Sequence, residues 1–408
     1  MSFFSRKKQH PTAQPAANVT ITQTPIGQQQ QPSGSLRSDN PLDAPSGSAG
    51  AGSSGGGQPG SQRTRGSSPN GPTAPPQSSS SSQPAQQQRP AYPWSARRLN
   101  LPPPVVLNKP GVVPPTSPSP SPFPRYGHAL PSTATAAGDL YIFGGLTGGE
   151  VPSPRVGTCQ CAVSNVLIVW GGDTKSDPKS NEKQDDGLYL LNLVSREWTR
   201  VTVHGLGPVG RYGHAVTTAG SKFIVFGGQV DGKFSNELWS FDLNALRTRA
   251  VWEFVEPAGG EVPARRTGHV CLTYGEKIFI FGGTDGQYHY SDTWSFDLQT
   301  RQWSELQCIG FIPTPREGHA AAVVDDVIYV FGGRGVDGKD LSDLCAFNIS
   351  NQRWYMFQNM GPSPSGRSGH AMASVGAQVY VLGGESLSPS KTEDHTLVHV
   401  LDTSQIKY

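Results

Sequence analysis

The stretch that decides the fold is Arg266-Thr-Gly-His-Val-Cys-Leu-Thr-Tyr-Gly-Glu-Lys-Ile-Phe-Ile-Phe-Gly-Gly283. Two short apolar runs flank a Gly-Glu turn, and this pattern predicts a β-hairpin that ends in a pair of glycines. The next two strand-like pieces, 292–297 and 301–306, each contain a tryptophan. The sequence around this stretch therefore predicts one unit of four short strands.

The unit is repeated along the second two-thirds of the chain. The glycine doublets are Gly144-Gly145, Gly171-Gly172, Gly227-Gly228, Gly282-Gly283, Gly332-Gly333 and Gly383-Gly384. An Arg-x-Gly-His motif precedes each doublet, and its arginines are Arg125, Arg155, Arg211, Arg266, Arg316 and Arg367. Its histidines are His128, His214, His269, His319 and His370, with Thr158 in the second copy. Six copies at a period of about 50 residues, with four short strands in each full unit, predict the blades of a β-propeller.

The spacing of these motifs is regular. The doublet follows the histidine at one fixed offset, as from His214 to Gly227, in four of the five copies that keep the histidine. A tryptophan precedes the next histidine at a nearly constant offset, at Trp198, Trp252, Trp303 and Trp354. The combination resembles the Kelch-repeat family over residues 92–408. This resemblance implies an all-β propeller built from Kelch-type blades.

Residues that recur in every blade are expected to build the blade. Glycine adopts positive φ and lets neighbouring backbones approach closely, which explains the doublets. The repeated tryptophans and the aromatics Trp239, Phe241, Trp294, Phe296 and Phe347 are expected to fill the space between twisted blades. A ligand cage made from these aromatics is the less favoured alternative.

The first repeat is incomplete. The interval from its doublet at Gly144 to the next one at Gly171 is about half of a full interval, such as that from Gly227 to Gly282. Residues 148–152 match 259–263, which follow a fourth strand, so the third and fourth strands of the first blade are missing. We interpret this as the loss of a segment of roughly 25 residues, because a two-stranded blade exposes sheet edges.

The last repeat also lacks a tryptophan strand, because only 396–402 reads as a strand between Gly384 and Tyr408. A separate Trp-containing piece, Tyr92-Pro-Trp-Ser-Ala-Arg-Arg-Leu99, precedes the first repeat. If it supplies the outer strand of the last blade, Trp94 takes the position of the repeated tryptophans. The sequence then predicts six blades, the first incomplete, with the Pro-rich segment 101–124 as a tether.

Residues 1–91 are rich in Ser, Gly, Pro and Gln, a composition that predicts a disordered tail. Up to residue 100 there are nine Lys or Arg against two Asp, while the rest of the chain carries an excess of five acidic residues. The tail could touch an acidic membrane surface peripherally or bind RNA, but a phosphorylatable linker is favoured, without specific nucleic-acid recognition.

Nothing in the sequence resembles a signal peptide or a membrane span. The odd number of cysteines, five, favours free thiols and a cytoplasmic location. A galactose-oxidase-like copper enzyme, also built from Kelch-like blades, is the alternative class. Tyr288-His289-Tyr290 is the one local cluster that suggests copper. The motif histidines, by contrast, belong to the repeat and are expected to hydrogen-bond within the blade turn. We therefore expect no catalytic centre, cofactor or metal.

Within the Kelch family, the chain is similar to the fungal cell-end markers of the tip elongation aberrant type. The similar parts are Tyr92-Pro-Trp94, the segment Ser121–Tyr126 and the basic tail. The resemblance implies a scaffold for polarity or cytoskeleton-associated proteins, located in the cytoplasm and at the cell cortex or tip. The heptad region typical of those proteins is absent, which leaves the oligomeric state open.

The motif arginines have two possible roles. Six guanidinium groups around one mouth of the ring would suit an acidic or phosphorylated peptide, because arginine pairs carboxylate and phosphate through two parallel hydrogen bonds. Alternatively, each arginine caps backbone carbonyls of its own or the adjacent blade. The repetition of the residue favours capping.

Overall fold

The computed structural model describes residues 93–100, 116–118, 152–153, 155–157, 159–175, 182–357, 361–386 and 397–408, and seven positions between 128 and 140. The tail 1–91, most of the tether 101–124, Arg125, Thr158 and the first doublet lie outside this part of the chain. Within it, all regular elements are β-strands apart from two short 3-10 helices, Leu243–Arg247 and Thr403–Gln405.

The strands fall into five four-stranded antiparallel blades and a few two-residue pieces. In chain order they are β1 (Trp94–Arg98), β2 (Cys159–Val163), β3 (Val166–Trp170), β4 (Leu188–Asn192), β5 (Trp198–Arg200), β6 (Ala215–Ala219), β7 (Lys222–Phe226), β8 (Gln229–Val230), β9 (Lys233–Phe234), β10 (Leu238–Asp242), β11 (Trp252–Phe254), β12 (Val270–Tyr274), β13 (Lys277–Phe281), β14 (Thr293–Asp297), β15 (Gln302–Glu305), β16 (Ile309–Gly310), β17 (Arg316–Glu317), β18 (Ala320–Val324), β19 (Val327–Phe331), β20 (Arg334–Gly335), β21 (Leu344–Asn348), β22 (Arg353–Phe357), β23 (Ala371–Val375), β24 (Gln378–Leu382) and β25 (Leu397–Asp402).

We name each blade after its repeat. The second blade is β2-β3-β4-β5, the third β6-β7-β10-β11 and the fourth β12-β13-β14-β15. The fifth is β18-β19-β21-β22, and β16 adds a short parallel pairing to β22 at its edge. The sixth is β23-β24-β25-β1. The all-β propeller predicted from the sequence is confirmed, and five blades lie in the described residues.

The hairpin in the opening stretch of sequence is β12–β13, with Tyr274 paired to Lys277 across a two-residue turn. Gly275, the first turn residue, has a φ of 58°. Tight hairpin turns require this left-handed conformation, which glycine adopts without steric cost. In β13 the residues 278–281 are all buried, on both faces of the sheet, because a blade lies between two neighbours.

The sixth blade closes as the sequence predicted. β1 runs antiparallel to β25, with Trp94 opposite Leu401 and Arg98 opposite Leu397. The Trp94 side chain is buried, and its ring lies 5.5 Å from the ring of Phe331 in the fifth blade. A strand from the start of the propeller region therefore completes the blade formed by its last strands.

The hydrophobic core is divided among the interfaces between blades. An outer-strand tryptophan packs against the aromatic residue that precedes the doublet of the previous blade. The ring pairs are Trp252–Trp170, Trp303–Phe226, Trp354–Phe281 and Trp94–Phe331, with centroids 4.7 to 5.7 Å apart. Each such pair buries a large apolar area, which is the main favourable term in folding.

The described residues of the first repeat lie against the sixth blade. Leu140 is buried with Tyr380 and Val398, and Leu130 packs against the same cluster. The backbone N–H of Ala134 donates to the carbonyl of Ser374. No strand is described between β1 and β2, so the predicted two-stranded first blade is not tested in these residues.

Candidate functional site

The five described motif arginines are buried inside their own blades. Their shared pattern is shown by Arg316, whose side chain is fully buried. Its Nε donates to the carbonyl of Thr314 and its Nη1 to the carbonyl of Gly332, both at 3.0 Å. The same two bonds, to the carbonyl two residues earlier and to that of the first doublet glycine, are made by Arg155, Arg211, Arg266 and Arg367.

Acidic partners complete the arginine sites in four blades. Arg266 and Arg316 each form two parallel hydrogen bonds, to Asp292 and Asp343, at 2.7 to 2.8 Å. Arg155 and Arg211 pair through one nitrogen with Asp185 and Glu237. Burial raises the pKa of the Asp343 carboxyl, but the Arg316 hydrogen bonds and charge outweigh burial, so the pKa is lowered.

The sequence reasoning missed these acids. A signal was available, because Glu237, Asp292 and Asp343 follow their arginines at a nearly constant offset and immediately precede the third strand. These contacts favour the capping role over a ligand-binding arginine ring, because the guanidinium groups already bind carbonyl and carboxylate oxygens. Binding of an acidic peptide by these arginines stays a prediction, and Arg125 lies outside the described residues.

The motif histidines lie at the seams between blades. His319 packs edge-on against Phe281 of the preceding blade, and its Nε2 lies 3.2 Å from the Phe281 carbonyl. His214, His269 and His370 make the same ring contact with Trp170, Phe226 and Phe331. We expected hydrogen bonds within the blade turn; the ring contacts reach the previous blade, while His214 also hydrogen-bonds to the Arg211 backbone in its own turn.

Burial determines the charge state of these histidines. Desolvation, with the charge of the motif arginine, lowers the pKa of His214 and His319 to about 3. The same two causes lower the pKa of His269 and His370 well below the usual value. All four rings are therefore neutral near pH 7, which suits an apolar seam.

The glycine doublets also join the blades. The second glycine of a doublet donates its N–H to the carbonyl of the motif arginine in the next blade, at 2.8 to 2.9 Å. Gly283, for example, donates to Arg316 with a φ of 92°. A Cβ added there would lie 2.7 Å from the carbonyl oxygen of Thr267. The approach requires glycine for both its conformation and its size.

A second chain of hydrogen bonds runs from blade to blade through the motif glycines. Each glycine N–H donates to the carbonyl of the equivalent glycine in the previous blade, along Gly369, Gly318, Gly268, Gly213 and Gly157. The residue between Arg and Gly pairs with the residue after the doublet of its own blade. These pairs are Val156–Asp173, Tyr212–Gln229, Thr267–Thr284, Glu317–Arg334 and Ser368–Glu385.

The paired positions are held by the same backbone geometry in five blades, but their side chains differ. Polar contacts link neighbouring blades close to these positions: Lys175 with Asp231 at 2.7 Å, His289 with Glu317 at 3.7 Å, and Arg334 with the Ser368 hydroxyl at 3.2 Å. The ten residues of the five pairs, which we call the variable pairs, are therefore the residues that break the repeat on a fixed frame.

The two tyrosines of the Tyr288-His289-Tyr290 cluster, which suggested copper, lie in different environments. Tyr290 donates its hydroxyl to Asp285 and stacks on Arg266, while Tyr288 is exposed. Among the described residues, no three His, Cys, Asp or Glu side chains form a group able to hold a metal. None of the five cysteines forms a disulfide bond, and burial raises the pKa of Cys159 to about 12. No helix in the described part of the chain is long and apolar enough to cross a membrane.

Comparison with known proteins identifies the repeat. A family profile described as the KLHDC2/KLHL20/DRC7 Kelch-repeats domain matches residues 146–333 and 248–384. The chain belongs to the Kelch-repeat family. The resemblance inferred from the Arg-x-Gly-His motif, the doublets and the tryptophans is therefore confirmed.

Several relatives share the repeat region. Tip elongation aberrant protein 1 of Schizosaccharomyces pombe is 38% identical over 70% of this chain and 26% of its own length. Kelch repeat-containing protein 2 of Saccharomyces cerevisiae is 33% identical over 70% of this chain and 38% of its own. Human Host cell factor 2 is 30% identical over 58% of this chain and 31% of its own. The chain thus spans roughly a quarter to two-fifths of these relatives.

Proposed function

We propose that this Kelch chain is a non-catalytic platform that binds other proteins through its variable pairs. The observation that supports this most strongly is the division of labour among the repeat residues. The arginine, histidine and glycine residues of the motifs already make contacts within and between blades. The side chains that differ from blade to blade are then available for recognition, since a partner is distinguished by unique chemistry rather than by repeated residues.

The exposed and partly exposed members of the variable pairs carry mixed charge. Asp173, Glu317 and Glu385 are acidic, Arg334 is basic, and Tyr212 adds an aromatic ring. Burial, with the charges of Asp173 and Asp231, raises the pKa of the Tyr212 hydroxyl, so the phenol stays neutral. Such a mixed surface suits a polar protein segment more than a phosphate backbone, which requires a cationic surface.

The cellular role follows from the fungal relatives. Two of them are named tip elongation aberrant proteins, one of which is 38% identical to this chain. We propose that the chain acts in cell-end marking and cytoskeleton-linked polarised growth, in the cytoplasm and at the cell cortex or tip. Its partners are then polarity or cytoskeleton-associated proteins, and the copper-oxidase alternative has no support from the relatives named here.

The test is proximity labelling in growing fungal cells with a tagged chain. We expect labelled polarity proteins at growing tips, and we expect Tyr212→Ala, Glu317→Ala and Glu385→Ala together to remove them. The matched control replaces three exposed residues outside the variable pairs, Lys277→Ala, Glu305→Ala and Arg353→Ala. Both triple variants should keep the melting temperature of the wild type.

Two results would overturn the proposal. Equal labelling by the two variants would show that the variable pairs do not recruit partners. One tightly held copper per purified chain, together with oxidation of alcohols, would assign the chain to the enzyme class instead.

A further inference from the structure

The connection that leads into the fifth blade breaks the repeat. In the third, fourth and fifth blades, this connection passes along the outer strand and forms the same hydrogen bond. The N–H groups of His204, Ala258 and Ile309 donate to carbonyls that lie two residues before the outer-strand tryptophan, at 2.8 to 3.1 Å. From these donors onward, 204–207 read His-Gly-Leu-Gly, 258–261 read Ala-Gly-Gly-Glu and 309–312 read Ile-Gly-Phe-Ile. The fifth blade therefore carries the most apolar of three equivalent segments.

The large side chains of this segment are exposed to solvent. Ile309 is 53% exposed, Phe311 70% and Ile312 47%. No charged residue lies between Gln307 and Thr314, although charged side chains commonly protect an exposed sheet edge. A contiguous group of exposed apolar residues, unlike single ones, indicates an interaction site.

β16, within this segment, forms the outer edge of its sheet. Ile309 and Phe311 donate their N–H groups to the carbonyls of Gln352 and Trp354, at 3.1 and 3.0 Å. β16 is the last strand of the five-stranded sheet, and no further strand pairs with it among the described residues, which include all of 182–357. Its outer side therefore presents backbone N–H and C=O groups to which an extended segment can pair.

The size of this surface indicates what binds there. The three exposed side chains present roughly 300 Å², because a large apolar side chain offers on the order of 200 Å². A stable protein–protein interface buries about 800 Å² on each partner. The surface is therefore too small for a second copy of the propeller, and it fits a single short strand. Because residues 309–312 are apolar and uncharged, a matching strand has β-branched or aromatic side chains.

We propose that β16, with the side chains of Ile309, Phe311 and Ile312, binds an extended apolar segment of a partner protein as a sixth strand of this sheet. Backbone pairing with β16 orients the segment, and contacts with the three side chains supply most of the affinity. The site contains no residue of the variable pairs, so it goes beyond the proposed function. The two sites can therefore fail independently.

The probe is a fluorescent synthetic peptide, Lys-Thr-Val-Thr-Val-Thr-Val-Lys, whose β-branched residues favour an extended strand and whose lysines keep it soluble. We expect it to bind the full chain with one-to-one stoichiometry in fluorescence anisotropy. Binding should slow hydrogen exchange at the Gly310 amide, because Gly310 lies between two residues that donate toward β22. A peptide with proline in place of its second valine lacks a backbone N–H and should bind at least tenfold more weakly.

Two protein variants locate the site. Ile309→Ser and Phe311→Ser together remove most of the exposed apolar surface and should weaken peptide binding at least tenfold. The matched control is Leu206→Ser, because Leu206 takes the position of Phe311 in the third blade's segment and is 87% exposed. This control should leave peptide binding unchanged. Both variants should keep the wild-type melting temperature, since the replaced side chains are exposed.

Four outcomes overturn the proposal. Absence of binding by the wild type would show that the edge does not accept such a strand. Equal binding by the double serine variant would place the peptide elsewhere on the chain. Equal binding by the proline peptide would show apolar contact without strand pairing. A wild-type dimer in sedimentation that the double serine variant converts to a monomer would make a second copy the occupant, not a partner protein.

Discussion

The outer-strand tryptophans of the fourth and second blades differ in how deeply they are buried. In the fourth blade, Trp303 lies against Phe226 and Phe296 and is buried. In the second blade, Trp198 occupies the same strand position but is partly exposed. Both blades have four hydrogen-bonded strands. The hydrogen-bonded ladder forms within each blade, whereas Phe226 of the neighbouring blade contributes to the burial of Trp303.

The intact seams should be sensitive to acid. The four buried histidines stay neutral in the folded chain but bind protons below pH 6.5 when unfolded, so stability falls as pH decreases from 6.5. Between pH 7.5 and 5.5 each histidine removes about 1.4 kcal/mol in total, which is roughly 5 kcal/mol for all four. Urea unfolding at a series of pH values measures this loss.

The control for the acid prediction is His319→Gln, which removes one of the titrating rings. It should reduce the slope of unfolding free energy against pH by the share of one proton. A stability that stays constant from pH 7.5 to 5.5 would contradict neutral histidines at the seams.

The next largest loss of unfolding free energy is expected at the arginine sites. Arg316→Ala leaves the mostly buried Asp343 without its partner and should cost about 3 to 5 kcal/mol. Arg211→Ala should cost less, because Glu237 is partly exposed and pairs through one contact. Chemical unfolding of both variants and of the double variant gives the values. If the double variant loses affinity for an acidic peptide at unchanged stability, the arginines bind ligand and do not cap the blade.

The glycine seam can be tested against a matched turn glycine. Gly283→Ala should cost about 2 to 3 kcal/mol, because a Cβ meets the Thr267 carbonyl at positive φ and disturbs the bond to Arg316. Gly275→Ala also has positive φ, but nothing lies within 4 Å of its Cβ, so about 1 kcal/mol is expected. Equal losses in thermal unfolding would show that the seam contact contributes nothing beyond backbone strain.

The smallest effect concerns Trp94. Its buried Nε1 has no hydrogen-bond acceptor among the described residues, whereas Nε1 of Trp354 donates to Thr293 at 3.2 Å. Leu344 begins the third strand of the fifth blade, as Thr293 does in the fourth. Leu344→Thr should therefore gain about 1 kcal/mol from the new bond, less the apolar burial that it gives up. Leu344→Val, which supplies no acceptor, is the control, and the threonine should be the more stable of the two.

Much of the fold was predictable because the same motifs recur along the chain. The spacing of doublets and tryptophans predicted the blades, and the isolated Trp94 predicted the closure by β1. The seam contacts were not predictable, because a motif does not show which neighbouring blade its residues contact. His319 contacts the previous blade, and Gly283 contacts the next one. The acids Asp292 and Asp343 were overlooked because acidic residues before strands are common at turns.

The most direct measurement of the central difference is hydrogen exchange in the outer strands, comparing β5 with β15. Both strands are antiparallel edges of four-stranded blades, but Trp303 of β15 is buried, whereas Trp198 of β5 is partly exposed. If burial by the neighbour stabilises an outer strand, the amides of Trp198–Arg200 exchange at least tenfold faster than those of Gln302–Glu305. Equal protection of the two strands would contradict the account.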